Sequence, residues 1–394
     1  MLDIDAATTA APSPLPPVPR VLEIRFTGSG SEYFRIWAVN LLLILVTLGL
    51  YLPFAKARRI RYFYANTLVD GQALGFHGDP RKMFRGFLLL VAMMGAYSLA
   101  GHFSPLAAFI AFLILCAIWP ALWRASLQFR LGNTSWRGLR MRFEGSLADA
   151  YRACAPSYLP AVALVGAAAL VGPDADAEAA RGLTPALVLY LAGALCMVLL
   201  APWSLALFKR YQHNGYRIAA QHSRIELPAG QVYLLALKTV GVALLAVAVT
   251  VAVMAVLFFA ARTMGDNGRA AGIILTTVGA ALAYVLVFAA AFPYGATRLQ
   301  NLAWNGTRSE ALSFRSQLEF RKLFGLTLKN WLLTALTLSL YRPFAAVATA
   351  RLRLEAVTIA CEGDAQDWVA AAHAGHADAT GDIAGDFFGI DMGL

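Results

Sequence analysis

The sequence predicts an all-α polytopic membrane protein with six full transmembrane helices plus two short re-entrant or in-plane apolar elements. Short cytoplasmic β-strands and interfacial helices of an internal repeat join them. Three observations predict this. First, 59% of the 394 residues are apolar and 14% charged, with a mean hydropathy of +0.60, more apolar surface than a soluble fold of this length can bury. Second, apolar stretches near the roughly 20 residues that cross a bilayer recur at 86–101, 106–123, 158–171, 185–203, 232–261 and 270–292. Third, segments 53–85, 124–152, 204–231 and 293–329 hold 23 Lys and Arg, whereas the turns at 102–105, 172–184 and 261–270 hold 3. That asymmetry is the positive-inside pattern of cytoplasmic loops.

The same distribution accounts for the net charge of +10. Basic segments at membrane boundaries are expected to meet anionic headgroups, with Lys56, Arg58, Arg59 and Arg61 as contacts, and not nucleic acid. The first twenty residues lack the basic start and apolar core of a cleavable signal. They read as a disordered tail (1–20), followed by one membrane domain (21–355) and an acidic C-terminal tail (356–394).

One pattern is used several times, which sets the architecture. Phe26-Thr-Gly28, Phe76-His-Gly78 and Phe143-Glu-Gly145 each precede an aromatic–Arg pair by eight residues, with weaker copies at Ile225 and Phe314. A proline closes each membrane element, followed about thirteen residues later by Asn: Pro53 with Asn66, Pro120 with Asn133, Pro202 with Asn214, Pro293 with Asn305. Asn66-Thr67 and Asn133-Thr134 lead to Gly71 and Gly138 at a shared offset of 67. Each proline is expected to start a short interfacial helix, since its missing N–H has no helical partner there. Asn and Gly then end it. Alternation such as Leu139-Arg-Met-Arg-Phe143 and Val21-Leu-Glu-Ile-Arg-Phe26 predicts short strands that pair into a small sheet. The repeat units fall near 26–66, 76–133, 143–214, 225–305 and 314–355.

The first unit is too short for two crossings, so 36–52 enters and leaves on one side. The alternative is that it spans, giving eight full crossings. The last apolar segment, 326–340, matches the first at an offset of 290: Asn40 with Asn330, Thr47 with Thr337, Tyr51 with Tyr341, Pro53 with Pro343. Asn40 and Asn330 are expected to bond between helices or to line a path, and Thr47 and Thr337 to bond backbone in a bend.

The block from Phe26 through Trp37, Asn40, Thr47-Leu-Gly-Leu-Tyr51, Pro53-Phe-Ala, Arg61-Tyr-Phe-Tyr64 and Asn66-Thr67 resembles the YjgN family of bacterial inner-membrane proteins. The resemblance implies a multi-pass inner-membrane protein, possessing a domain without an assigned function. It carries over no catalytic residue. The second half departs from the pattern, with Asn305-Gly-Thr307 in place of Asn-Thr and no Gly after Phe314.

No cofactor and no metal site is expected: no lysine follows the glycines as in a phosphate loop. His373 and His376, with Asp378 and Asp382, sit in a tail without an apolar framework. No nucleophile and base have a spacing that supports an enzyme. The charge-free spans and paired broken ends point to transport or permeation of an apolar or amphipathic solute or lipid. A scaffold that recruits lipids, a protein partner or a second copy is the alternative.

Overall fold

The computed structural model describes residues 20–170, 185–263, 266–362 and Val369. From β1 (Arg20–Phe26) the chain enters a helical hairpin, α1 (Gly30–Val46) and α2 (Leu52–Ala65), then a strand hairpin, β2 (Thr67–Val69) and β3 (Gln72–Phe76). Helices α3 (Pro80–Phe103) and α4 (Pro105–Gly132) lead to β4 (Thr134–Trp136) and β5 (Leu139–Phe143). Next come α5 (Leu147–Leu170), α6 (Pro185–Asn214), β6 (Tyr216–Ile218), β7 (Gln221–His222) and β8 (Arg224–Ile225). The chain continues with α7 (Ala229–Arg262), α8 (Asp266–Asn305), β9 (Thr307–Arg308) and β10 (Leu312–Ser316). It finishes with α9 (Phe320–Leu336), α10 (Arg342–Leu354) and β11 (Val357–Cys361).

The strands form one antiparallel sheet in the order β7-β6-β5-β4-β3-β2-β1-β11-β10-β9-β8. Its first and last members, β7 and β8, are consecutive in the chain and flank Ser223. The sheet is thus a nearly closed ring, and covalent continuity bridges the remaining gap. The Gln221 carboxamide oxygen accepts from the Ala311 amide (3.0 Å) and the Ser309 hydroxyl (3.2 Å) across that gap.

This ring corrects the all-α expectation. Alternation was read as a few short strands, but all eleven strands join in one sheet, broken only between β7 and β8, and β11 links β10 to β1. Residues 357–361, read from the sequence as tail, therefore lie inside the sheet. The rest of that tail, Ala356, Glu362 and Val369 apart, lies outside the described residues, His373 and His376 with it.

Phe26 pairs with Thr67, Phe76 with Thr134, Phe143 with Tyr216, Ile225 with Thr307, and Ser316 with Val357. Each helical hairpin consequently leaves and re-enters the sheet at adjacent strands. Every helix packs on its sequence neighbours, and α10 returns onto α1, so the helices form a circle above the ring.

The expectation of six full spans is also corrected. Five helices among the described residues are long and apolar enough to cross a membrane: Pro80–Phe103, Pro105–Gly132, Leu187–Asn214, Ala229–Arg262 and Ile274–Asn305. Residues 158–170 of the sixth expected span, 158–171, fall in α5 (Leu147–Leu170), which is not among the five. Helices α1 and α9 have 17 residues each and turn back through a bend at 47–51 and 337–341.

Pro53 and Pro343 sit in the first turns of α2 and α10. Pro120, Pro202 and Pro293, expected to start helices, instead lie inside the continuous helices α4, α6 and α8.

Candidate ligand cavity inside the strand ring

Period-two alternation turns one side chain in two toward the ring's interior. Leu22, Val69, Trp136 and Cys361 are buried there, with Ile24, Leu74, Met141, Ile218, Leu312, Ile359 and Val369 packed against them. A ring of eleven strands is too wide for one layer of side chains to fill, as in larger β-barrels. It encloses a cavity of about 630 Å³. The Trp136 indole N–H donates to the Val69 carbonyl (3.1 Å), which locks that wall.

Helix ends supply the rest of the wall. Tyr64 of α2, Arg130 and Leu131 of α4, Gln300 and Trp304 of α8, and Ala350 and Arg353 of α10 all line the cavity. Arg353 is held at two points: its Nε donates to Gln300 Oε1 (2.8 Å), and Gln300 Nε2 donates to the Arg353 carbonyl (2.9 Å). Its side chain keeps accessible surface because the cavities it lines are open. Burial nonetheless holds its guanidinium below the usual arginine range. On the opposite side, burial pushes the Tyr216 phenol above its ordinary value, against the pull of the Arg130 charge.

A second cavity of about 640 Å³ adjoins the first and shares Tyr64, Ala350 and Arg353 with it. Its walls come from α8, α9 and α10 and from Arg59, Ile60 and Phe63 of α2. Those helices are not all neighbours, which puts this cavity on the inner side of the helix circle. The two cavities follow one another along its axis.

The Phe-x-Gly signature has a steric cause. A Cβ on Gly28, Gly78 or Gly145 would lie 2.8, 2.4 or 2.6 Å from the ring of Phe26, Phe76 or Phe143, so glycine lets each buried phenyl fold under the chain. An Arg from a helix then fixes the glycine carbonyl: Arg351 to Gly28 (2.8 Å), Arg61 to Gly78 (3.1 Å) and Arg124 to Gly145 (2.7 Å). Arg210 does the same at Leu227 (2.8 Å) and the Asn301 amide at Leu318 (2.9 Å). In this register the last copy is Ser316 with Leu318, which corrects the placement at Phe314.

Asn66 and Asn133 end α2 and α4, donating from Nδ2 to the Tyr62 and Phe129 carbonyls (2.8 Å each). Asn214 and Asn305 close α6 and α8, and their side-chain oxygens accept from the amides of Ile225 (2.9 Å) and Ser316 (2.6 Å). The buried Thr67 and Thr134 hydroxyls donate to the Phe63 and Arg130 carbonyls. Gly71 (φ +74°) and Gly138 (φ +82°) follow Asp70 and Arg137, also at positive φ. Both dihedrals positive is the two-residue hairpin geometry that glycine favours.

Asn40, Thr47, Tyr51, Asn330, Thr337 and Tyr341 gather at the two short hairpins, away from the ring cavity. Of the expected headgroup contacts, Arg61 bonds Gly78, while Arg58 and Arg59 lie over the Tyr51 and Phe63 rings. Lys56 lines a side pocket beneath α1. Sequence reasoning missed Tyr64, Arg130, Trp136, Tyr216, Gln300 and Arg353. Trp136 and Tyr216 had a signal in strand alternation. The others are single side chains at helix ends, which no local pattern marks.

The family model described as "Bacterial protein of unknown function (DUF898)" matches residues 21–387. Inner membrane protein YjgN of Salmonella typhimurium is 34% identical over 127 residues, 32% of this chain and 32% of that protein. Inner membrane protein YjgN of Escherichia coli strain K12 is 32% identical over 123 residues, 31% of each chain. The matched region thus spans about a third of the length of these curated relatives. No solved structure matches.

Proposed function

This chain belongs to the DUF898 family of bacterial proteins, and from that premise we propose a multi-pass membrane protein that takes an apolar or amphipathic solute or lipid into its joined cavities for transport or permeation. The observation that carries the reading is the pair of axial cavities with a shared wall at Tyr64, Ala350 and Arg353. Mostly apolar lining with a few convergent polar groups is what small-molecule sites have in common.

On this reading the protein resides in the bacterial inner membrane, after its relatives' names, with the strand ring and basic segments in the cytoplasm. The five helical and strand hairpins are copies of one unit. Basic side chains on the ring side meet anionic headgroups, and nucleic acid is no partner. Periplasmic labelling of an engineered cysteine at Ser29 would reverse this orientation.

Solute movement is tested in proteoliposomes with Ala350→Trp, which plugs the wall between the cavities. The wild type is expected to move a fluorescent acyl probe between leaflets and the variant to stop it. An inert wild type that also retains no probe overturns the reading. A scaffold reading draws on Val369, which packs against the ring's apolar cluster and ties the chain beyond β11 to the sheet. It predicts partner capture without solute movement.

A further inference from the structure

We propose that the joined cavities bind an acyl chain with an anionic head, the head at Arg353 and Arg130 and the chain along the apolar inner face of the strand ring. The proposal rests on the solute-holding reading above and names its solute class.

Charge is the first argument. The ring cavity is lined by Arg130, Arg217 and Arg353, and the adjoining one by Arg59, Arg342 and Arg353; no Asp or Glu is among the described residues lining either. Arg217 is matched from outside by Glu144 (2.5 Å). Among the described residues no Asp or Glu pairs with Arg130 or Arg353, and Lys209 lies near enough to feel both charges. Cations gathered on one cavity wall without counter-charge repel one another, and an anion relieves that repulsion. Guanidinium is suited to it because its planar fork takes a carboxylate or phosphate in two parallel bonds.

Shape and polarity supply the second argument. A small hydrophilic anion would leave Leu22, Trp136, Met141 and Ile359 facing it with nothing to bury, and a neutral hydrocarbon would leave the arginines unmatched. A volume of about 630 Å³ lies within the range of sites that enclose one small ligand, which suits a single chain. Gln300 pre-orients Arg353, so little side-chain freedom is lost when the head binds.

The test is saturable binding of radiolabelled palmitate to the full chain in phosphatidylcholine nanodiscs, with empty nanodiscs subtracted. Palmitate and lysophosphatidylglycerol should compete at least about tenfold better than lysophosphatidylcholine or hexadecanol. The better of the two anions identifies the head as carboxylate or phosphate. Arg130→Gln and Arg353→Gln should each weaken palmitate binding about tenfold. Arg353→Lys should recover part of the loss, and Arg140→Gln, on the ring's outer side, should have no effect. A thermal transition matching the wild type certifies each variant's fold, and Arg130→Gln tests the site without breaking the Gln300 clamp. Equal competition by hexadecanol, or unchanged affinity in both Gln variants, overturns the charged head and leaves the cavity reading standing. Binding of none of the four compounds overturns both.

Discussion

In the first helical hairpin the Thr47 hydroxyl donates to the Leu43 carbonyl (2.7 Å) and accepts from the Tyr51 amide (3.0 Å). In the last, Thr337 does the same with Leu333 (2.6 Å) and Tyr341 (3.0 Å). Tyr51 stacks on Phe54 at 5.5 Å and Tyr341 on Phe344 at 5.6 Å, and Leu48 and Leu338 share φ +49°. The bends are alike; what lies beneath them is not. Asn40 accepts from Arg58 at 3.5 Å, whereas Ala348 occupies the position matching Arg58. The Asn330 amide donates instead to the Thr349 hydroxyl (3.2 Å), and its buried oxygen has no partner. The pocket beside Asn40, about 510 Å³, shares no residue with the ring cavity. One device thus serves two ends, its asparagine oxygen matched by an arginine at the first and left buried without a partner at the last.

The largest expected effect lies where the hairpins touch. A Cβ at Gly30 would sit 2.4 Å from Phe344 Cδ1, so Gly30→Val should cost about 1–3 kcal/mol in thermal unfolding of the purified protein. Full tolerance would mean that the two ends do not brace each other. Thr47→Val and Thr337→Val should each lose about 1 kcal/mol, and unequal losses would break the equivalence of the bends. Asn40→Leu should destabilise by about 1 kcal/mol more than Asn330→Leu, because the second also removes an unsatisfied acceptor. The reverse order would deny the distinction between the matched and the unmatched asparagine. Smallest, Ser339 stands at φ +75° where the first bend has Gly49 at φ +93°. Ser339→Gly should gain, and Gly49→Ala lose, about 0.5–1 kcal/mol; a loss on adding the glycine would show that the serine conformation is unstrained.

Features that depend on a residue's own neighbours were legible in the sequence. Asn66 and Asn133 were read as helix ends and stand there, whereas the steric reason for Phe-x-Gly and the positive φ of Gly71 and Gly138 came only from the structure. The matching bends were readable because the offset of 290 kept chemically demanding residues in step. Ring closure was not legible, since β1 and β11 pair across almost the whole chain and two-residue strands such as β7 and β9 give almost no periodicity. Pro120 and Pro293 were misread as helix starts because tertiary burial overrides the local preference of proline. The last copy was misplaced when the aromatic Phe314 outweighed the spacing that selects Ser316. Arg353 and Gln300 meet only in three dimensions.

The neighbour that β1 requires, Val357–Cys361, is the last of the sheet's described strands to be made. During synthesis the earliest strand therefore waits with an unpaired flank while five helical hairpins are inserted, and non-local pairing of this kind is slow to form. A nascent chain arrested before residue 357 keeps an open sheet edge beside an apolar lumen, an exposed surface that quality-control proteases and chaperones recognise. Emergence of β11 and sealing of the lumen are thus one event.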